Sequence, residues 1–266
     1  MPHNSLRGFG SREVRDGLVG KASSLEFSPV SRFYVQVRRD TLQRILRRST
    51  AVREARIRTK KYSIQMTDRS NGYERVAAEF LAGRGSAART RAKGIGVKAV
   101  REWAPTLPSG AAVIDLGCGP GFPITEVLVS GGLNVYAVDA SPSFVEAFRR
   151  NLPGIPVACE AVEDSTFFDR TFDAVIACGL IFLLPAEEQQ RLIHRVADIL
   201  VPGGRLLFTS CAEPVVWNDA MTGLESRSLG AVEYRSQLTA VGLSVIREYE
   251  DEGENHYFDA LKGAPR

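Results

Sequence analysis

From residue 111 onward, short apolar runs alternate with longer stretches whose apolar positions recur every three or four residues. Residues 111–115, 133–139, 156–160, 172–178 and 205–210 are compact and mostly apolar, the character of strands covered on both faces. Ser141 and Pro142 supply an N-cap and a first-turn proline for a helix carrying Phe144, Val145 and Phe148. Pro185 opens a second helix, whose Leu192, Ile193, Val196, Ile199 and Leu200 share a face until Pro202-Gly203-Gly204 stops it. Residues 242–249 and 255–261 read as two more strands, joined by a hairpin at 250–254. Strands and helices in this rhythm predict an α/β domain, a doubly wound sheet with helices on both faces.

The chemistry concentrates where the first strand ends. Asp115-Leu-Gly-Cys-Gly-Pro-Gly121 places an acid and three glycines, Gly117, Gly119 and Gly121, between a strand and a helix starting near Pro123. Glycine removes the side chain where backbone turns tightly and approaches a ligand, and it tolerates positive φ. Asp139, eighteen residues past Gly121, ends the next strand, where a carboxylate can receive both hydroxyls of a ribose. The dinucleotide spacing G-x-G-x-x-G is not met, because Phe122 stands where its third glycine belongs. A pyrophosphate ligand, and with it an NAD-dependent reductase, is therefore disfavoured. The bland alternative is a structural glycine turn in some other α/β protein.

The strand and loop resemble the first motif of class I S-adenosylmethionine-dependent methyltransferases. Residues 170–175 (Arg-Thr-Phe-Asp-Ala-Val) and 200–208 (Leu-Val-Pro-Gly-Gly-Arg-Leu-Leu-Phe) resemble that family's entries to its fourth and fifth strands. The resemblance covers about residues 110–208. It implies a Rossmann-like, seven-stranded sheet, mostly parallel with an antiparallel last strand. It also implies S-adenosylmethionine as cofactor. Asp115, Gly117, Cys118, Gly119 and Gly121 would flank the methionine portion, with Asp139 and Ala140 at the ribose. Glu160, Ala161, Val162 and Glu163 would lie beside the adenine, and Cys178 and Gly179 would border the sulfonium.

Composition sets the limits. At 266 residues there is room for one α/β domain of about 200 residues plus an extension. No apolar run reaches the length of a membrane span, and there is no secretory h-region near Met1, so a cytoplasmic protein without a membrane partner is expected. Cys118, Cys159, Cys178 and Cys211 form no C-x-x-C pair, so neither a metal site nor a disulfide framework is expected. Charge is uneven: residues 1–61 carry a net +10 and the remainder a net −7. Residues 1–65 are thus read as a basic extension, disordered apart from one helix at 40–57. A nucleic-acid-binding arm, a transit segment and solvated chain compete as accounts of it. Glu13, Asp16 and Glu26 argue against the transit segment. Met66 opens a second plausible beginning that leaves 201 residues, so the residues before it are expected to be dispensable, an over-extended gene start. Residues 66–109 are read as a helical lid and 110–266 as the methyltransferase domain.

The acceptor is expected at the carboxyl edge of the sheet, where ligands of open α/β folds lie. The long excursion after the fifth strand, residues 211–229, suits an acceptor-binding lid better than a plain connection. His256 is the histidine placed to act as a general base, unless it is a strand histidine bonded to a neighbouring loop. Glu254, Asn255 and Tyr257 are candidates to orient an acceptor, and Tyr73 and Trp217 to wall its pocket; each is otherwise a packing residue. The sequence lacks the Asn/Asp-Pro-Pro-aromatic turn of amino-methylating nucleic-acid enzymes, and the apolar Leu180-Ile-Phe-Leu-Leu184 suits a small, partly apolar acceptor. The expected reaction is methyl transfer to oxygen or nitrogen of a small molecule. An RNA or protein methyltransferase using the basic arm, and a non-catalytic S-adenosylmethionine-binding module, are the alternatives. The acidic domain disfavours a nucleic-acid partner.

Overall fold

The computed structural model describes residues 68–87 and 96–264. The basic extension, its expected helix at 40–57 and the beginning at Met66 lie outside the described residues. The element order is α1 (Tyr73–Ala87), α2 (Val97–Trp103), β1 (Ala112–Leu116), α3 (Ile124–Ser130), β2 (Asn134–Asp139), α4 (Pro142–Asn151), β3 (Val157–Cys159) and β4 (Phe172–Ala177). It continues with α5 (Ala186–Ile199), β5 (Leu200–Ser210), β6 (Val215–Asn218), β7 (Glu225–Ser228), α6 (Ala231–Ala240), β8 (Leu243–Glu250) and β9 (His256–Lys262).

Seven strands form one sheet in the order β3-β2-β1-β4-β5-β9-β8. The five strands from β3 to β5 are parallel, and β9 runs antiparallel to both of its neighbours. The mostly parallel, doubly wound sheet expected from the rhythm of the chain is therefore present, with the last strand reversed. The order changes direction between β1 and β4, which separates the loops after these strands and opens a crevice at their carboxyl ends.

Alternation along the strands builds two cores. Ile114, Val175, Phe208 and Phe258 point to one face, where α5 and α6 bring Leu192, Ile193, Val196, Tyr234 and Leu238. Val113, Ile176, Leu207 and Tyr257 point to the other, where α2 and α3 bring Val100, Trp103, Val127 and Leu128. Side chains two residues apart share a face, so each strand feeds both layers and its sequence reads as an unbroken apolar run.

Two expectations are corrected here, and a third gains a structure. The expected lid, 66–109, divides: α1 lies over the crevice, whereas α2 is a core layer, with Val97, Val100 and Trp103 almost fully buried. The Pro202-Gly203-Gly204 stop lies inside β5, which begins at Leu200 and pairs with Phe172 across a register shift. Gly204 makes this crossing feasible, because a Cβ there would stand 2.8 Å from the Val201 carbonyl oxygen. The excursion after β5, expected as an acceptor-binding lid, folds as a two-stranded hairpin, β6 with β7. No described helix is long and apolar enough to cross a membrane.

Candidate functional site

The crevice is lined from below by the loops after β1, β2 and β4 and from above by Arg69, Ser70 and Asn71 and by Tyr73 and Phe80 of α1. The turn after β1 is pinned to β2, since the amides of Gly117 and Cys118 both donate to the Val138 carbonyl, at 2.8 and 3.1 Å. Gly117 and Gly119 adopt positive φ and face the cleft, and a Cβ added at Gly119 would meet nothing within 4 Å. The third glycine serves a different purpose. Gly121 is absent from the cleft lining; at φ +86° its missing Cβ would stand 2.7 Å from Leu152 Cδ1 and 3.0 Å from Phe148 Cδ2. It lets the turn sit against α4 and, unlike Gly117 and Gly119, it does not line the cleft.

Two carboxylates stand in this cleft. Asp139 accepts the Gly119 amide on Oδ2 and the Ser141 amide on Oδ1, both at 2.8 Å. Each oxygen keeps a lone pair for a further donor. Burial pushes its pKa up to about 6, against the two amide hydrogen bonds, with the Glu74 carboxylate adding to the rise. Asp115 is 2% exposed, and its Oδ2 accepts the Thr125 hydroxyl at 2.6 Å. Burial pushes it up to about 7; the Thr125 bond opposes this, and the neighbouring Asp139 charge adds to it. A cleft holding two desolvated acids favours a ligand that brings positive charge and hydroxyl donors.

Ala140, Ala161, Val162 and Glu163 line the cleft beyond Asp139. Glu160 does not. Its Oε1 accepts the Ser165 hydroxyl at 2.6 Å, so the acid that ends the β3 run closes its own turn. Cys118, Cys178 and Gly179 line the cleft, and the Gly179 amide donates to Thr209 Oγ1 at 2.8 Å. Burial raises both thiols well above the ordinary range, Cys178 further through Asp115 and Cys118 through Asp139, so neither is a thiolate near neutrality.

At the hairpin between β8 and β9, only part of the expected set meets the cleft. Asn255 and Tyr257 line it; the Tyr257 hydroxyl donates to Asp251 Oδ2 at 3.0 Å, and the Asn255 amide nitrogen lies 3.0 Å from both Asp251 oxygens. Glu254 is a turn residue at φ +59° whose amide donates to the Asp251 carbonyl, and it is not part of the lining. His256 is also outside. Its Nε2 lies 2.9 Å from Glu248 Oε2, and its ring packs on Phe258, because alternation along β9 turns Tyr257 to one face and its neighbours to the other. The residue expected to act as general base thus faces away from the cleft.

Tyr73 does wall the cleft, and its hydroxyl donates to Asp219 Oδ2 at 3.2 Å at the tip of the β6–β7 hairpin. Trp217 stands one layer back: its ring packs 5.5 Å from that of Phe182, which lines the cleft in its place. Leu180, Leu183 and Leu184 join Phe182 there, as the apolar run after β4 implied. Phe80 and Phe144, which the sequence did not mark for the site, complete an aromatic wall with Tyr73, with Phe80 and Phe144 centroids 4.8 Å apart. Among the described residues, no group of His, Cys, Asp and Glu is arranged to hold a metal ion.

Comparison with known proteins adds likenesses to this geometry. Residues 113–204 match the family model described as a methyltransferase domain. The chain is 36% identical over 110 residues to aklanonic acid methyltransferase from Streptomyces sp. (strain C5), covering 38% of this chain and 49% of that protein. It is 28% identical over 162 residues to a ubiquinone biosynthesis O-methyltransferase of Xanthomonas axonopodis pv. citri, covering 59% of each. The matched stretch thus spans about half the length of these curated relatives. Among solved structures, the 1,6-didemethyltoxoflavin-N1-methyltransferase of Burkholderia thailandensis superposes with a TM-score of 0.53 at 18% identity, covering 73% of this chain and 91% of that one. At that identity the likeness concerns the fold.

Proposed function

We propose that this chain, whose residues 113–204 match the methyltransferase-domain family model, is a class I S-adenosylmethionine-dependent methyltransferase that transfers a methyl group to an oxygen or nitrogen atom of a small molecule. The observation that carries this reading is the Asp139 carboxylate, fixed by two backbone amides at the mouth of a glycine turn that leaves open space at Gly119. That arrangement fits a ribose whose two hydroxyls donate to the acid, and a ligand chain passing over the turn. Ala161, Val162 and Glu163 then border the adenine, and Asp115 with Gly117, Cys118 and Gly119 the methionine portion. Cys178 and Gly179 border the sulfonium.

When bound, the cofactor supplies an electrophilic methyl group on sulfur, so the protein's work is orientation and exclusion of water. Tyr257 has its proton committed to Asp251, which leaves its oxygen to accept a hydrogen bond from an acceptor hydroxyl or amine. Burial keeps the phenol protonated across the neutral range. Tyr73, Phe182 and Asn255 border the acceptor. Aklanonic acid, ubiquinone biosynthesis and toxoflavin, named for the related proteins, support a small-molecule acceptor and include both O- and N-methylation. The net −7 of the chain after residue 61 also favours a small molecule over a polyanion.

The test is incubation of the purified protein with isotope-labelled S-adenosylmethionine and a metabolite extract, read by mass spectrometry. A labelled small molecule that depends on Asp139 is expected. Label appearing only in RNA or protein, or no transfer despite tight cofactor binding, would overturn the assignment.

A further inference from the structure

Glu74, the second residue of α1, carries no signal in the sequence, yet it ties the roof of the cleft to its floor with three hydrogen bonds. Its Oε2 accepts the Ser141 hydroxyl at 2.5 Å and the Ser143 amide at 3.1 Å, and its Oε1 accepts the Ser143 hydroxyl at 2.7 Å. Burial opposes the charge on Glu74, but the hydrogen bonds from Ser141 and Ser143 outweigh it and hold the carboxyl below its ordinary range. An ionised carboxylate therefore sits on the first turn of α4, where unpaired amides and the helix dipole favour it.

Ser141 faces two ways. Its amide donates to Asp139 Oδ1 at 2.8 Å, while its hydroxyl is spent on Glu74 and on the Phe144 amide 3.2 Å away. Asp139, Ser141 and Glu74 thus form a continuous chain from the ribose acid to the roof. Two arginine ties of the same segment are weaker. Arg69 pairs with Glu163 at 3.5 Å and Asp164 at 2.8 Å, but with 46% of its side chain exposed, and ion pairs of that kind contribute little. Arg75 donates to the Thr222 carbonyl at 3.1 Å, also at the surface. Three hydrogen bonds to one partly buried carboxylate exceed these.

We propose that Glu74 is a positioning residue of the cofactor site: by clasping Ser141 and Ser143 it keeps the Ser141 amide on Asp139 and so fixes the carboxylate that receives the ribose. The proposal rests on the S-adenosylmethionine reading of the cleft. Glu74 does not touch the ligand. It also adds a negative charge near Asp139, a cost that the intervening serine hydroxyls offset by hydrogen-bonding to it.

A double-mutant cycle with S-adenosylhomocysteine as the probe tests it, with affinities from calorimetry and folding checked by thermal unfolding. Glu74→Ala is expected to weaken binding about tenfold in the otherwise native protein and less than twofold in an Asp139→Asn background. Glu74→Gln, which keeps an acceptor oxygen, is expected to recover part of the loss. Should Glu74→Ala fail to fold, Glu74→Gln and Ser143→Ala replace it in the cycle, each with a loss of about threefold that again disappears beside Asp139→Asn. Equal losses in both backgrounds, or no loss in the native one, would overturn the proposal. If the unaltered protein does not bind S-adenosylhomocysteine, the cofactor reading beneath it fails, and the proposal with it.

Discussion

Nε2 of His256 lies 2.9 Å from Oε2 of Glu248, and the same carboxylate receives Arg235 at 2.6 and 2.8 Å. The pair ties the first residue of β9 to β8 on the side of the strand away from Tyr257. His256→Ala is therefore expected to lower stability by about 1 kcal/mol through the lost hydrogen bond and to leave turnover within twofold. Chemical unfolding and the labelled-methyl assay check the two halves; a hundredfold loss of turnover would restore His256 as a base.

Tyr257, not His256, lines the cleft at this hairpin, and the proposed reaction uses its oxygen. Tyr257→Phe keeps the buried ring but removes the oxygen shared between Asp251 and the cleft. Turnover is expected to fall about tenfold while the affinity for S-adenosylhomocysteine stays within twofold. Calorimetry beside steady-state rates separates these, and loss of cofactor affinity would instead place Tyr257 at the methionine portion.

The glycines of the loop divide by function. Gly121→Ala is expected to cost about 2 kcal/mol of stability, because the new methyl meets Leu152 and Phe148 in a backbone conformation that disfavours a side chain. Gly119→Ala places its methyl in open cleft, so its larger effect should be on S-adenosylhomocysteine affinity. Unfolding and binding measured on both variants decide this; the reverse pattern would move Gly121 into the ligand site.

Asp115 makes the ligand-free protein pH-sensitive. Its folded pKa, about 7, lies above the ordinary carboxyl value, so the folded state holds the proton more tightly than the unfolded chain does. The sign follows: stability from this group is fully present below about pH 4 and is lost as pH rises through 7. Asp115→Asn, neutral throughout, should unfold at a higher temperature than the native protein at pH 8 and lose most of that advantage at pH 5. A difference independent of pH would contradict the buried, raised carboxyl.

Much of this was legible locally. The β1 run, the glycine turn and Asp139 all lie between Ala112 and Asp139, and their conformations depend on short-range rules for strands, positive φ and helix starts. The ambiguous part was direction. A strand such as His256–Lys262 is visible in sequence, but which of His256 and Tyr257 meets the cleft depends on the helices packed on each face. Glu160 was misplaced because the turn after β3 is closed by its bond to Ser165, five residues on, and no periodicity encodes that. The Glu74 clasp joins residues 67 positions apart, and α2 was given to the lid because seven residues carry too weak a pattern to distinguish roof from core. The β6–β7 hairpin escaped notice because Glu225–Ser228 has no apolar residue.

The central claim is that Asp139 and the turn beside it hold S-adenosylmethionine, and titration calorimetry with S-adenosylhomocysteine tests it most directly. The unaltered protein should bind one equivalent with a micromolar dissociation constant, and Asp139→Ala should weaken that about a hundredfold while the protein remains folded, since two hydrogen bonds to a charged acceptor are lost. Absence of binding to the unaltered protein, or equal binding by Asp139→Ala, would contradict the account.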